Sequence, residues 1–300
     1  MRLSLKLFLF AAVALTGWMF ISGCAKEEAI KPSTDLQIEG RGPILGGGGG
    51  GGLGGGVALI GLSPNNELLH LLSGPPAQVT AVIPIGGMRT DEIIIAIDTR
   101  PRTKELYGIS NTDLLYKIDK NTGATRLVST STFNPGLEGG ILGIDFDPAL
   151  DILRVVTDGG QNLRISPTTG AVIGVDVSFD ANPVVFNGLA YAASSSFSGK
   201  PELYAIDING DALYRITNAA TGANSLIGFT GYNWDGDGGF EITPGKQVFT
   251  VQYGYNKTPK VTVNGDDTSV PYYRLYSIST FNGKVTPLGR VRDMIGLATK

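Results

Sequence analysis

The chain has 300 residues, a formal net charge of −3, one histidine and one cysteine. Scattered charges with an acidic balance argue against nucleic acid or anionic lipid headgroups as electrostatic partners. A single cysteine excludes any disulfide within the chain.

The first 23 residues have the organisation of a secretory signal. A basic start with Arg2 and Lys6 precedes an uncharged apolar stretch from Leu7 to Gly23. This combination is typical of a signal peptide, and the stretch is short for a stable transmembrane helix. We therefore predict that residues 1–23 are removed on export.

The apolar stretch ends in Ile21-Ser22-Gly23-Cys24, which resembles the lipobox of bacterial lipoproteins. The resemblance implies cleavage before Cys24, diacylglycerol on its thiol and an acyl chain such as palmitate on its new amine. Several acyl chains hold a protein at a membrane far better than one. The alternative is an uncleaved anchor in which Cys24 stands by chance. We favour the lipid anchor because the signal and the processing motif agree.

The residues after Cys24 suggest a destination. No Asp follows the cysteine, which resembles lipoproteins sent on to the outer membrane. Lys26-Glu27-Glu28 resembles the surface-export signal of lipoproteins in the Bacteroidota, although a solvated charged linker has the same composition. We expect a protein of the cell envelope, at the outer membrane and exposed at the surface if the export signal operates.

Residues 24–56 are predicted to form a flexible tether. The segment is polar and then glycine-rich, with Gly46 to Gly52 unbroken, and cannot bury a core. A coil of this length spans on the order of 30 Å, enough to lift a domain off a bilayer.

Residues 57–300 are predicted to form one all-β domain built from repeats. The apolar runs are short, rich in Ile, Val, Leu and Tyr, and bounded by Gly, Asn, Asp or Pro. Four units, starting near residues 94, 142, 187 and 239, each contain four such runs with a glycine turn between the last two. The turn glycines are Gly123, Gly170, Gly222 and Gly283. Four short strands per unit are typical of a propeller blade.

The two ends of the domain complete a fifth blade. Residues 294–298 resemble a first strand with nothing after it, whereas residues 57–83 resemble three strands that lack a first. We therefore predict a five-bladed β-propeller of four-stranded blades, in which the C-terminal strand is innermost in the N-terminal blade. Closure of this kind protects strand edges from aggregation. A twisted open sandwich is the main alternative.

From about Val57 to the end, the chain resembles the bacterial family called domain of unknown function 4394. The most specific stretches are GIDFDP (143–148), DILRVV (151–156) and GQNLRISPTTG (160–170). The resemblance implies a propeller-like fold and export, but no activity and no catalytic residues.

Three carboxylates are predicted to converge near one mouth of the propeller channel. Aligning the inner strands places small residues at one level: Ala96, Gly143, Gly188, Gly239 and Gly296. Two residues on, the same alignment gives Asp98, Asp145, Ala190, Glu241 and Ala298. Such a ring has the oxygen ligands that Ca²⁺ prefers. The alternative, which we favour, is that each carboxylate caps backbone N–H groups at a strand end.

A second candidate calcium site lies in the sequence NWDGDG. Asn233, Asp235 and Asp237 have the spacing of the front of a calcium loop, but Pro244 stands where the bidentate Glu is expected. A polar loop between blades is the alternative that we favour.

The second repeat concentrates charged and amide side chains. Arg154 and Arg164 on adjacent strands, with Asn162, could clamp a carboxylate or sulfate. The alternative, which we favour, is that the two arginines pair with Asp151 and Asp158 and staple the blade.

Nucleophilic hydrolysis has little support, because the sole histidine, His70, falls on a predicted outer strand and no GxSxG motif is present. Aromatic residues that we expect to be exposed near loop tips could stack on sugars or serve a protein interface: Trp234, Tyr253, Tyr255 and Tyr272. The alternative, which we favour, is that they serve simple packing.

We therefore predict a monomeric, membrane-anchored propeller that acts as a binding or scaffold module for an envelope protein or glycan. The alternative is a metal-dependent hydrolase or lactonase that holds an ion such as Ca²⁺ in the acidic ring. Such an enzyme would need a base in the channel that histidine cannot supply. The fold by itself does not indicate either function.

Overall fold

The computed structural model describes residues 56–179, 186–193, 199–256, 262–263 and 265–300. Cys24, the signal and nearly all of the tether lie outside these residues, so the lipid anchor stays a prediction. Within the described part of the chain, no helix has the length and apolar character needed to cross a membrane.

The described residues form five four-stranded antiparallel sheets and one small hairpin. The strands, in chain order, are β1 (Ala58–Leu62), β2 (Glu67–Leu72), β3 (Gln78–Pro84), β4 (Ile94–Thr99), β5 (Leu106–Ser110), β6 (Leu115–Ile118), β7 (Thr125–Leu127), β8 (Ile141–Asp147), β9 (Ile152–Thr157), β10 (Asn162–Ile165), β11 (Val172–Asp176), β12 (Phe186–Ala192), β13 (Glu202–Asp207), β14 (Ala212–Asn218), β15 (Ala223–Phe229), β16 (Tyr232–Ile242), β17 (Val248–Asn256), β18 (Thr262–Val263), β19 (Asp266–Asp267), β20 (Tyr272–Ile278), β21 (Val285–Arg290) and β22 (Gly296–Thr299).

The sheets are the blades of a five-bladed β-propeller. Blade 1 has the order β22-β1-β2-β3, and blades 2, 3 and 4 are β4–β7, β8–β11 and β12–β15. Blade 5 has the order β16-β17-β20-β21. The five blades and their boundaries confirm the fold predicted from the repeats and exclude the open sandwich.

The C-terminal strand closes the ring. Within blade 1, β22 pairs antiparallel with β1, and Leu297 lies opposite Gly61. β22 also packs between β16 of blade 5 and β4 of blade 2, so it is the innermost strand of its blade. The first and last strands therefore protect each other's edges, as predicted.

The hydrophobic core lies between the faces of neighbouring blades. Between blades 1 and 2, for example, Ile60 and Leu68 pack with Ile94 and Leu106, all nearly inaccessible to solvent. Burial of each such side chain contributes roughly 1.5–3 kcal/mol. The outer strands alternate between exposed and half-buried residues, as in β3, because their blades diverge from one another at the rim.

The glycine turns between third and fourth strands recur in blades 2 to 5. Each turn glycine has φ between +68° and +73°, which side chains other than glycine rarely adopt. The turns also touch the preceding blade. A Cβ at Gly123 would lie 2.1 Å from Pro84 O, and one at Gly222 would lie 2.5 Å from Ser178 O. The repeated glycine thus marks a hairpin and a contact between blades.

Blade 5 departs from the repeat. Its first two strands have 11 and 9 residues, and residues 257–271, which include the β18–β19 hairpin, connect its second and third strands. We refer to residues 232–234, 253–256, 262–263 and 265–274 as the blade-5 extension. It lies at the end of the inner strands opposite Glu241, because β16 runs from Tyr232 to Ile242.

Candidate functional site

The small residues of the inner strands lie at one level of the channel, as predicted. A Cβ added at Gly143 would stand 2.7 Å from Leu189 N, and one at Gly239 would stand 2.5 Å from Leu297 N. Both clashes are with the backbone of the next inner strand, so this crowding requires glycine. A cavity of about 290 Å³ at this level is lined by glycine and apolar residues together with Asn187.

The predicted carboxylates lie two residues further along, but they are directed at neighbouring strands. Asp98 Oδ2 accepts the backbone N–H of Phe146 at 2.8 Å, and Asp145 Oδ2 accepts that of Tyr191 at 2.9 Å. The backbone N–H of Thr299 is close enough to Glu241 to lower its pKa. Each bond joins one blade to the inner strand of the following blade in the ring.

This geometry agrees with the interpretation that the carboxylates cap backbone N–H groups, but the capped groups include ones on another blade. Asp98 also accepts the N–H of Thr99 at 2.6 Å, which is the local cap that was expected. The second bond crosses to another blade, which the sequence did not predict. The carboxylates at the mouth therefore help to close the ring at three of its five junctions, and Ala190 and Ala298 occupy the other two positions.

The three carboxyls are buried and influence one another electrostatically. Burial raises the pKa of Asp98 to about 7, against the bonds from Phe146 and Thr99, which lower it. Burial followed by repulsion from Asp98 raises the pKa values of Asp145 and Glu241 well above their ordinary range. Lys120 favours the ionised form of Asp98 and Glu241, while burial lowers its own pKa. Burial and mutual repulsion therefore favour the protonated forms of these carboxyls.

The mouth beside this ring contains a cavity of about 110 Å³, with Asp98, Asp145 and Glu241 in its wall. Ligand pockets for small molecules typically have about 300–1,000 Å³. Within the described part of the chain, no three His, Cys, Asp or Glu side chains are grouped so as to hold a metal ion. Calcium at the ring stays a prediction.

The second calcium candidate does not lie in a loop. Residues 233–238 are part of β16, and the ladder to β17 shifts register between Trp234 and Gly238. Both interpretations of this segment assumed a loop and are wrong on that point, because a β-bulge admits two glycines into a strand. Asn233 and Glu241 are eight strand residues apart, about 20–25 Å, and so do not share a site.

The side chains of Asp235 and Asp237 lie outside what the structure describes. Calcium binding by these two residues with Asn233 therefore stays a prediction.

The arginines of blade 3 do pair with a carboxylate, but the predicted partners are wrong. Arg154 Nη1 lies 2.9 Å and Arg164 Nε 3.1 Å from Asp176 Oδ2. Asp176 was missed because it lies on β11, and residue order does not show which strand supplies the counter-charge. Asp151 instead binds Arg100, and Asp158 accepts the N–H of Gly140 at 2.7 Å.

Arg154 is 3% exposed and also bonds to Asn162 Oδ1 and to the Tyr191 hydroxyl. The Asn162 amide donates to Val177 O at 2.9 Å and Ala219 O at 2.8 Å. These bonds staple blade 3 to blade 4. Ligand binding by Arg154, Asn162 and Arg164 stays a prediction.

His70 is buried on β2, the third strand of blade 1 from the axis and not its outermost strand. Its Nε2 lies 2.7 Å from Lys120 O, and its Nδ1 lies 3.0 Å from Lys300 Nζ. A carbonyl can only accept and an ammonium can only donate, so these contacts fit the neutral ring. Burial accordingly lowers the pKa of His70.

Three of the four aromatic residues predicted near loop tips are exposed, and all three belong to the blade-5 extension. Tyr253 and Tyr255 are each 38% exposed and Tyr272 is 44% exposed. Trp234 is buried at 3%, and the prediction that it is exposed is wrong, because its strand passes through the core between blades 4 and 5.

An ionic cluster that was not predicted from the sequence holds the blade-5 extension. Arg274 is fully buried, and its guanidinium bonds to Asp266 and to the carbonyls of Gly254, Val270 and Asp267. A usable signal was present: the second and third strands of the last repeat are separated by far more residues than in the other repeats.

Comparison with known proteins identifies a family but no function. Residues 67–298 match the family described as Domain of unknown function (DUF4394). No curated protein matches the chain.

Solved structures show only distant likeness. A protein of unknown function from Bacteroides caccae has 9% identity and a TM-score of 0.41, covering 82% of this chain and 98% of its own. An auxiliary nutrient binding protein from Bacteroides thetaiotaomicron has 13% identity and a TM-score of 0.40, covering 65% and 55%. A protein named provisionally as a 6-phosphogluconolactonase from Bacteroides uniformis has 16% identity and a TM-score of 0.34, covering 79% and 72%. Similarity at this level carries no argument about activity or ligand.

Proposed function

The chain belongs to the family described as Domain of unknown function (DUF4394), and we propose that it is a propeller binding module anchored in the cell envelope. The contact surface in this proposal is the blade-5 extension. Its ligand would be a glycan or a protein of the envelope.

The observation that carries the proposal is the group of exposed tyrosines on rigid strand ends. Tyr253 and Tyr255 alternate with Gly254 on β17, so both side chains project from the same face of the sheet. Tyr273 lies opposite Tyr253 on β20, and their rings are 5.3 Å apart. Tyrosines held by a sheet give a large contact area with little loss of side-chain entropy.

The channel mouth is less suited to a ligand. Its cavity of about 110 Å³ is small for a sugar or a lactone. Asp98 and Asp145 already accept backbone N–H groups, and Glu241 lies near that of Thr299, so a ligand there would compete with closure of the ring. The hydrolase or lactonase alternative depends on this mouth, and no contact in the described structure favours it over binding.

The anchor in this proposal is lipid on Cys24, after which residues 25–56 act as a tether. The test is Cys24→Ala in the full-length chain, followed by fractionation of cells. We expect the variant to escape lipid-dependent processing and to leave the membrane fraction. Retention of Cys24→Ala in the membranes at the wild-type level would contradict the anchor.

The contact surface can be tested by photo-crosslinking in cells that express the full-length chain. We expect p-benzoylphenylalanine at position 253 to give a discrete crosslinked product. The same group at position 281 is the control, because Phe281 is 90% exposed on the turn between β20 and β21 of the same blade. Equal yields at both positions would contradict the proposed surface.

A further inference from the structure

A shallow groove of about 450 Å³ lies beside the blade-5 extension, where blades 5 and 1 meet. Blade 1 contributes Pro76, from the loop between β2 and β3. Blade 5 contributes Val263, Gly265, Asp266, Gly289 and Arg290. The volume is within the range of small-molecule sites, and the wall combines small and apolar residues with one exposed cation.

Arg290 is held in position by two contacts that leave the end of its guanidinium open. Its Nε lies 2.6 Å from Asp266 Oδ1, and its guanidinium carbon lies 4.8 Å from the centre of the Tyr272 ring. The side chain is 43% exposed. Among the residues that the structure describes, neither Nη atom of Arg290 donates a hydrogen bond.

Two arginines and two carboxylates lie at or beside the groove. Arg274 and Arg290 share the single carboxylate of Asp266, which both of them contact. Burial acts to raise the pKa of Asp266, but the bonds from both arginines hold it below its ordinary value, so Asp266 is ionised at neutral pH. Asp267 is exposed and accepts hydrogen bonds from Ser269, and its charge also interacts with that of Arg274. The capacity of the groove for an anion therefore lies in the open end of the Arg290 guanidinium.

We propose that this groove binds the carboxylate of an acidic saccharide, with the two Nη atoms of Arg290 donating end-on to its two oxygens. A planar guanidinium matches a planar carboxylate in this way, and its fixed position reduces the entropy lost on binding. The groove has room for the sugar ring against Pro76 and Val263. This inference rests on the proposed function and adds the chemical class of the ligand.

The test is titration of the detergent-solubilised full-length chain with D-glucuronate, D-glucose and sulfate, observed by saturation-transfer NMR. We expect glucuronate to bind about tenfold more tightly than either glucose or sulfate. Arg290→Gln should weaken glucuronate binding by about 10- to 100-fold, the range for loss of a charge-assisted hydrogen bond. Arg290→Lys should bind at an intermediate level, because it keeps the charge and loses the fork.

Arg215→Gln on blade 4 is the matched control, since Arg215 is 49% exposed and lies 3.9 Å from its only carboxylate neighbour in the described structure. This variant should bind glucuronate like the wild type. Unchanged binding in Arg290→Gln, or sulfate binding as tight as glucuronate, would overturn the proposal. If glucuronate does not bind while position 253 still crosslinks, the ligand class is wrong and the binding surface stands.

Discussion

The channel mouth and the blade-5 extension lie at opposite ends of the same inner strand, and they use polar side chains in opposite ways. At the mouth, Asp98 and Asp145 turn toward the next blade and accept backbone N–H groups. At the extension, Tyr253 and Tyr255 project into solvent. At the mouth, the inner strands crowd around the axis, and the carboxylates bond one blade to the next. At the extension, the strands run past their neighbours, so one face of the sheet is free for contact. Charged residues in a propeller channel are therefore weak evidence of a site until their hydrogen bonds have been traced.

Arg274→Ala should reduce the stability of the chain most, because it removes the buried arginine that holds the blade-5 extension. The substitution leaves the Asp266 carboxylate without its buried partner and three carbonyls without a donor. Loss of one member of a buried ion pair costs about 3–5 kcal/mol. Denaturant unfolding should show this loss, and hydrogen exchange should show the greatest loss of protection in β18–β20. Arg215→Ala, at an exposed pair, should change stability by less than about 0.5 kcal/mol.

At the mouth, protonation of Asp98 should make stability depend on pH. The pKa of this carboxyl is about 7 in the folded chain against its ordinary 3.8, so the folded state holds more protons between these values. The contribution of Asp98 to stability is therefore present at low pH and lost as pH rises through about 4 to 7, by on the order of a few kcal/mol.

Thermal melts of wild type and Asp98→Asn at pH 5 and pH 8 measure this dependence. The asparagine variant should lose less stability than the wild type between pH 5 and pH 8, because it has no carboxyl group to ionise at this position. An identical pH dependence of both proteins would contradict the proton held by Asp98.

Calcium binding at the mouth would require the same carboxyl groups to be ionised and not protonated. A bound cation favours ionised carboxylates, so millimolar Ca²⁺ should raise the Tm of the wild type more at pH 8 than at pH 5. Asp98→Asn should remove most of that increase. A Tm that does not move at either pH contradicts calcium binding at the mouth.

Substitution of a small residue at the axis should have the smallest effect on stability. Gly239→Ala places a Cβ 2.5 Å from backbone N of Leu297 and should destabilise the chain by about 1–3 kcal/mol. Gly86→Ala is the matched control, because nothing lies within 4 Å of its added Cβ. Equal unfolding midpoints for the two variants would show that the inner strands can separate to accept the methyl group.

Much of the fold could be predicted from the sequence, because the four-strand pattern of a blade recurs along the chain. The glycine turns and short apolar runs fix the four strands of each blade, and Gly143 and Gly239 fix the level at which inner strands meet. The same alignment placed Asp98, Asp145 and Glu241 correctly. It did not show their direction, because a strand residue beside a channel can point along the axis or toward the next blade.

The remaining errors have a common physical origin. Asn233 to Gly238 has loop composition, yet it forms a bulged strand because its neighbour β17 supplies the ladder. Arg154 finds Asp176 on another strand of its sheet, and Arg274 finds Asp266 in an insertion that breaks the repeat. Each of these pairings is a tertiary contact that local pattern does not encode.

We expect ligands to bind at the blade-5 extension and not at the channel mouth. The most direct measurement compares photo-crosslinking from position 255 with that from position 104, since Lys104 lines the mouth cavity. In cells that express the full-length chain, we predict a discrete product from position 255 and none from position 104. A discrete product from position 104, with none from position 255, would contradict this account and favour the channel as the functional site.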